Sequence, residues 1–198
     1  MKSHSYNVVL LPPSDVFQKA INLSNSLKNY FNLEFVLDGK TRYPHITLYQ
    51  LTILDSNYDK LILLLDQIFT YRKKISSKKT NLSSNGRFIS IDVFNSKHLN
   101  DLHSEVVKKS NVLRKNTSQI LIKGSDKVDY LKQFGSNGVF ENFKPHITIT
   151  RLKNEKDVVK ALRSLKVEKE SVIFEKAAIG ELADHGTVTK IIKEYNLS

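Results

Sequence analysis

Apolar positions along this chain switch between strand-like runs and helical stripes. Tyr6-Asn7-Val8-Val9-Leu10-Leu11 is a short, nearly continuous apolar run closed by Pro12 and Pro13, which predicts a strand over 6–11. Behind Ser14, a residue suited to capping a helix, Phe17, Ala20, Ile21, Leu23, Ser24 and Leu27 fall close to one face, so a helix is expected to end near Phe31. Residues 43–51 are rich in β-branched and aromatic side chains and predict a strand with Pro44 near its entrance. Leu61, Leu64, Leu65 and Ile68 then follow the spacing of a buried helical stripe, with Asp55 or Ser56 as its cap.

The second half repeats this rhythm. The polar stretch 73–86 has room for one strand, and Asn85-Gly86 is a hairpin signal that introduces a strand from Arg87 to Phe94. Ser96 is placed to cap a helix from Lys97 to about Lys109, and Ser118 to Lys123 predicts a short strand. After the apolar segment 143–152 come a helix from about Glu155 to Leu165, a strand from about Ser171 to Leu182, a turn at Asp184-His185-Gly186 and a last strand from Thr187. Strands and helices therefore alternate throughout. No Gly- or Ser-rich linker separates two independent units, so residues 1–198 are expected to form one domain.

One internal repeat stands out of this pattern. Pro44-His45-Ile46-Thr47 recurs as Pro145-His146-Ile147-Thr148, one copy in each half of the chain. The protein has only four prolines and six histidines, so two identical tetrapeptides are hard to attribute to composition. Alternate side chains of a strand share a face, which puts His45 with Thr47 and His146 with Thr148 while Ile46 and Ile147 face a core. If the halves are related by a pseudo-twofold axis, two imidazoles and two hydroxyls converge on one cleft. That is a receptor for a phosphate. Hydrolysis at phosphorus needs a base for the attacking water and an acid for the leaving oxygen, and imidazole serves both roles near neutrality. Threonine hydroxyls can hold the non-bridging oxygens, and this chemistry needs no metal.

Composition narrows the picture further. Without cysteine there is no thiolate nucleophile, disulfide or Cys-type metal site, and a reducing cytoplasm is the expected setting. The apolar runs 8–11 and 61–65 are too short for a secretory leader or a membrane span, so no membrane partner is expected. Thirty-one Lys and Arg against twenty Asp and Glu give a net charge of +11, which favours a polyanion such as RNA. No P-loop and no Gly-x-Gly-x-x-Gly pattern occurs, so no nucleotide cofactor is expected.

With its duplicated His-x-Thr motif, one per half, the chain resembles the 2H phosphoesterase superfamily, which includes 2'-5' RNA ligases and cyclic nucleotide phosphodiesterases. The resemblance implies an α+β, bilobal fold: two pseudo-symmetric lobes with mainly antiparallel sheets flanking a central cleft, and helices outside. It implies His45 and His146 as acid and base, Thr47 and Thr148 as phosphate holders, no cofactor, and an RNA or oligonucleotide partner. The closing hairpin from Ile179 to Leu197 around Gly186 is similar to the end of such proteins, and Arg151, five residues after His146, matches an arginine found in many relatives. By strand parity, however, Arg151 faces away from His146 unless the strand ends or bends there.

Parity also puts Tyr43 and Tyr49 with His45, where either ring could stack on a nucleobase, and Lys144 with His146, where it could steer phosphate. The remaining histidines are given no role: His98 and His103 are five apart on the expected helix, His185 is in a turn, and His4 is in the N-terminal stretch. Three functions follow. The first is opening of 2',3'-cyclic phosphate ends of RNA. The second is cleavage or joining of 2'-5' bonds, by the same four residues. The third, of another class, is RNA binding without catalysis. A monomer is expected.

Overall fold

The computed structural model describes residues 2–115 and 129–198. Its strands are β1 (Ser3–Leu11), β2 (Ile46–Leu54), β3 (Ile75–Asn85), β4 (Phe88–Val93), β5 (His146–Arg151), β6 (Glu170–Phe174), β7 (Lys176–Leu182) and β8 (Val188–Asn196). The helices are α1 (Ser14–Lys28), α2 (Tyr58–Phe69), α3 (Lys97–Ser110), α4 (Tyr130–Phe134) and α5 (Val158–Ser164). The strand expected at 118–123 lies outside the described residues. None of the described helices is long and apolar enough to cross a membrane.

All strands join one eight-stranded antiparallel sheet in the order β6-β3-β4-β5-β2-β1-β7-β8. The order is a pseudo-twofold arrangement. One lobe is β2-β1-β7-β8, the other is β5-β4-β3-β6, and the two strands that carry the repeat lie at the centre. They touch through a single pair, Ile46 opposite Ile147, so the expected two sheets are two halves joined by one rung. Both isoleucines are fully buried. The lobes interlock because α1 packs on β5 and α3 packs on β2, each helix crossing to the other half. One continuous core results, with Leu10, Ile46, Leu65, Ile91, Leu102, Ile147 and Phe174 from both lobes.

Several local expectations are corrected. Ser14 is the first helical residue rather than the cap, and no side chain caps α1. Neither Asp55 nor Ser56 caps α2, since both lie in a short 3-10 turn that leads into it. Ser96 does cap α3, accepting from the Leu99 amide. The strand expected over 171–182 is two strands on opposite wings: β6 pairs with β3, and β7 pairs with β1. Nothing in the alternation of side chains marks the break at Glu175, because a strand that changes partners keeps its extended backbone. His4 lies within β1, its Nε2 3.5 Å from Asp55 Oδ1.

Candidate active site

Pro44 and Pro145 cannot donate to a ladder, so the regular strands begin just after them, at Ile46 and at His146. From there the two strands share a second feature. The register between β1 and β2 shifts between Val8 and Val9, and that between β4 and β5 shifts between Ile89 and Ser90. Thr47 faces Val9 while Tyr49 faces Val8; Thr148 faces Ser90 while Thr150 faces Ile89. Leu48 and Ile149 are therefore the extra residues of two matching β-bulges. A bulge inserts one residue and reverses the parity beyond it. The burial pattern follows: Ile46 to Gln50 and Ile147 to Arg151 both run buried, half-buried, buried, buried, half-buried.

The imidazoles are anchored alike. His45 Nδ1 is 2.7 Å from the carbonyl of Tyr43, and His146 Nδ1 is 2.8 Å from the carbonyl of Lys144. A carbonyl only accepts, so each Nδ1 carries the hydrogen and each Nε2 is the acceptor nitrogen of its ring. Both rings, with Thr47 and Thr148, line one cleft of about 900 Å³, near the upper end of the roughly 300–1,000 Å³ of ligand pockets. The surroundings differ. His45 is half-buried and His146 is exposed. Burial pushes the His45 pKa below 6.5; the Tyr43 and Gly186 carbonyls oppose this, and repulsion from His146 adds to it. Thr47 Oγ1 accepts from Asn7 Nδ2 at 3.1 Å, whereas Thr148 makes no side-chain hydrogen bond among the described residues.

This arrangement can be set beside known structures. No family model matches the sequence, and no curated protein matches it. The chain is similar to the crystal structure of TT0787 from Thermus thermophilus, with a TM-score of 0.62 at 14% identity, covering 98% of this chain and 97% of that one. It is also similar to E. coli LigT complexed with 3'-AMP (TM-score 0.55, 12% identity, 100% and 99% covered) and to a structure described as a phosphoesterase (0.54, 12%, 100% and 99%). The chain has the fold of these proteins.

Within this fold the other expected residues divide. Tyr43 and Lys144 both line the cleft, and their carbonyls are the anchors of the two histidines. Tyr49 borders the cleft as well, but with its ring turned inward. The bulge at Leu48 turns it into the core, where it is 2% exposed and its hydroxyl lies 2.9 Å from Asn111 Oδ1 and 2.8 Å from the Phe134 carbonyl. Burial raises its pKa to about 12. A ring held this way cannot stack on a base. The equivalent bulge at Ile149 brings Arg151 to the side of the histidines, the bend that its parity required. Its guanidinium stays outside the cleft, 5.3 Å from the centre of the Phe88 ring and 3.1 Å from Glu34 Oε1. Gln50, its counterpart in the first lobe, lines the cleft.

Three residues escape the sequence reading. His185 lines the cleft from the β7–β8 turn, with its ring 6.3 Å from Phe35 and 6.4 Å from Phe88. It holds a left-handed φ of 60°, which costs a non-glycine residue roughly 1–2 kcal/mol. Asp92, directly opposite His146, accepts from Ser83 Oγ at 2.6 Å. Asn7 is fully buried beside His45, and its signal in the sequence was a polar residue inside an apolar strand run. Apart from the histidines, Lys144 and Asp92 are the charged residues of the cleft lining, so the net charge of +11 is not concentrated there. Among the described residues, the lining offers hydroxyls, side-chain amides, imidazoles and one lysine.

Proposed function

We propose that this chain is a phosphodiesterase that opens 2',3'-cyclic phosphates at RNA ends, with His45 and His146 as the proton-transferring pair and Thr47 and Thr148 holding the phosphate. The observation that carries the reading is the matched geometry of the two bulged strands, each offering a backbone-anchored imidazole with Nε2 as its acceptor nitrogen, beside a hydroxyl, to one cleft. Water bonds to phosphorus as one imidazole takes its proton. The bond from phosphorus to the ribose 3' oxygen breaks, and the other imidazole protonates that oxygen, leaving a 2'-phosphate. Charge-assisted hydrogen bonds from the two hydroxyls contribute on the order of 1.5–3 kcal/mol each.

The likeness to E. coli LigT adds support for a nucleotide substrate, since that protein has been crystallised with 3'-AMP, ATP and NADP+. Phe35, Phe88 and His185 give one side of the cleft an aromatic character suited to a base. The test is to incubate the protein, with a chelator present, with RNA ending in a 2',3'-cyclic phosphate and with a 2'-5'-linked dinucleotide. Conversion of the first to a 2'-phosphate end is expected. A cyclic end left intact while the dinucleotide is cleaved assigns the same site to 2'-5' bonds, and failure of both refutes the enzyme and leaves an RNA-binding module.

A further inference from the structure

The two halves of the site match in backbone and differ in side chains, one of which reaches a catalytic candidate. Asn7 on β1 stands opposite Gln50, and its counterpart on β4 is Phe88, opposite Arg151. The Asn7 Nδ2 lies 3.3 Å from His45 Nε2, 3.1 Å from Thr47 Oγ1 and 3.5 Å from the Gly186 carbonyl. Because that carbonyl only accepts, it orients the amide with its hydrogens toward the site. An acceptor and a donor then flank the imidazole consistently: its Nδ1–H gives to the Tyr43 carbonyl, and its Nε2 receives from Asn7 Nδ2. The arrangement leaves Asn7 Oδ1 buried with no hydrogen-bond partner among the described residues. His146 has the first anchor but no amide beside its Nε2 among the described residues.

We infer that Asn7 is a positioning residue that holds His45 in the neutral Nδ1–H tautomer and keeps Thr47 aligned with it, so that His45 is the proton acceptor of the reaction and His146 the donor. The assignment of acceptor and donor rests on the phosphodiesterase reading; the tautomer does not. For His45 Nε2 to take the proton of the attacking water, its lone pair gives up the Asn7 hydrogen bond, and Asn7 Nδ2 keeps Thr47 Oγ1 and the Gly186 carbonyl as acceptors; the protonated Nε2 is then a donor, and the Gly186 carbonyl, which favours the charged imidazole, is there to accept. The new oxygen–phosphorus bond forms as the ribose oxygen leaves with the proton of His146. Solvent exchange restores both rings.

The titratable groups that share this environment are Tyr43 ahead of β2, Tyr49 on it, Asp92 on β4, Lys144 and His146 at β5, and His185 with Asp184 in the β7–β8 turn. The experiment follows each imidazole by long-range nitrogen–proton NMR of the full-length protein across pH, with His45→Gln and His146→Gln used for assignment. In the wild type His45 is expected as the neutral Nδ1–H form near pH 7. Asn7→Asp replaces a donor with an acceptor, so the protonation midpoint of His45 should rise by about one pH unit or more. A base must be deprotonated to act, so the acidic limb of kcat/KM should move up with it, a loss of about tenfold on that limb for each unit. A wild-type His45 found as the Nε2–H tautomer, or a folded Asn7→Asp variant with an unmoved His45, overturns the inference. If that variant does not fold, Asn7→Ala, which removes the donor to Nε2, should also raise the His45 midpoint, and an unmoved midpoint there overturns the inference. Absence of turnover on cyclic phosphate would count against the reaction, while the spectra would still decide the role of Asn7.

Discussion

Tyr49 is where the bulges have their most direct consequence, and Tyr49→Phe measures it. Simple alternation puts this ring beside His45 and Thr47, but the extra residue at Leu48 sends it to the core, 2% exposed. The substitution removes one hydroxyl and keeps the ring. A phenol has a single hydrogen, so Asn111 Oδ1 at 2.9 Å and the Phe134 carbonyl at 2.8 Å share it. Asn111 Oδ1 also receives Arg114 Nε at 3.1 Å, which leaves the Phe134 carbonyl as the group that goes without. An unpaired buried acceptor costs about 1–3 kcal/mol, and at this partly buried carbonyl the lower half, about 1.5 kcal/mol, is expected. For a chain of this length, 1 kcal/mol is worth about 2–4 °C, so Tm should fall by roughly 3–6 °C. Turnover of a cyclic phosphate should stay within about twofold of wild type, since no substrate contact is lost. Thermal unfolding followed by circular dichroism, together with kcat/KM, checks both halves. An unchanged Tm with a loss of activity above about tenfold would put the hydroxyl on the substrate and refute the bulge argument.

Thr47→Val and Thr148→Val keep shape and remove one hydroxyl each; a lost bond to a charged phosphate of about 1.5–3 kcal/mol corresponds to a fall in kcat/KM of about 10- to 150-fold, with folding intact by circular dichroism. His103 supplies a pH dependence of stability. It is buried, with Nδ1 2.8 Å from the Leu48 carbonyl, Nε2 receiving the Phe140 amide at 3.0 Å, and burial lowering its pKa to about 4. A histidine held neutral in the folded state stabilises fully above its unfolded pKa of about 6.5 and loses that contribution as pH falls toward 4, by up to about 3 kcal/mol. Urea unfolding at several pH values should show this slope, and His103→Gln should flatten it; a slope that survives in the variant would assign it to other groups.

How much of this was legible in the sequence depended on whether the deciding signal was local. The duplicated tetrapeptide, the cap at Ser96 and the hairpin at Asn85-Gly86 are written in adjacent residues, and each stands in the fold where the pattern puts it. Bulges are different. Leu48 and Ile149 are ordinary strand residues, and only the partner strand reveals that two residues there oppose one. That one shift moved Tyr49 into the core and brought Arg151 around to the side of the histidines. The split of 170–182 into β6 and β7 is non-local in the same way, because extended residues do not record which strand they pair with. His185 was passed over as a turn residue, since the fold alone carries the β7–β8 turn to the cleft. Asn7 could have been singled out: an amide among Tyr6, Val8, Val9 and Leu10 must find partners when its strand is buried.

The central claim is that two imidazoles from different strands act on one phosphate. The most direct measurement is kcat/KM for a 2',3'-cyclic phosphate substrate in His45→Ala, His146→Ala and the double variant. If the rings work as one acid–base unit, each single variant should lose at least about a hundredfold, and the double should lose little more than the worse single. A single variant that turns over the substrate as fast as the wild-type protein would contradict the account.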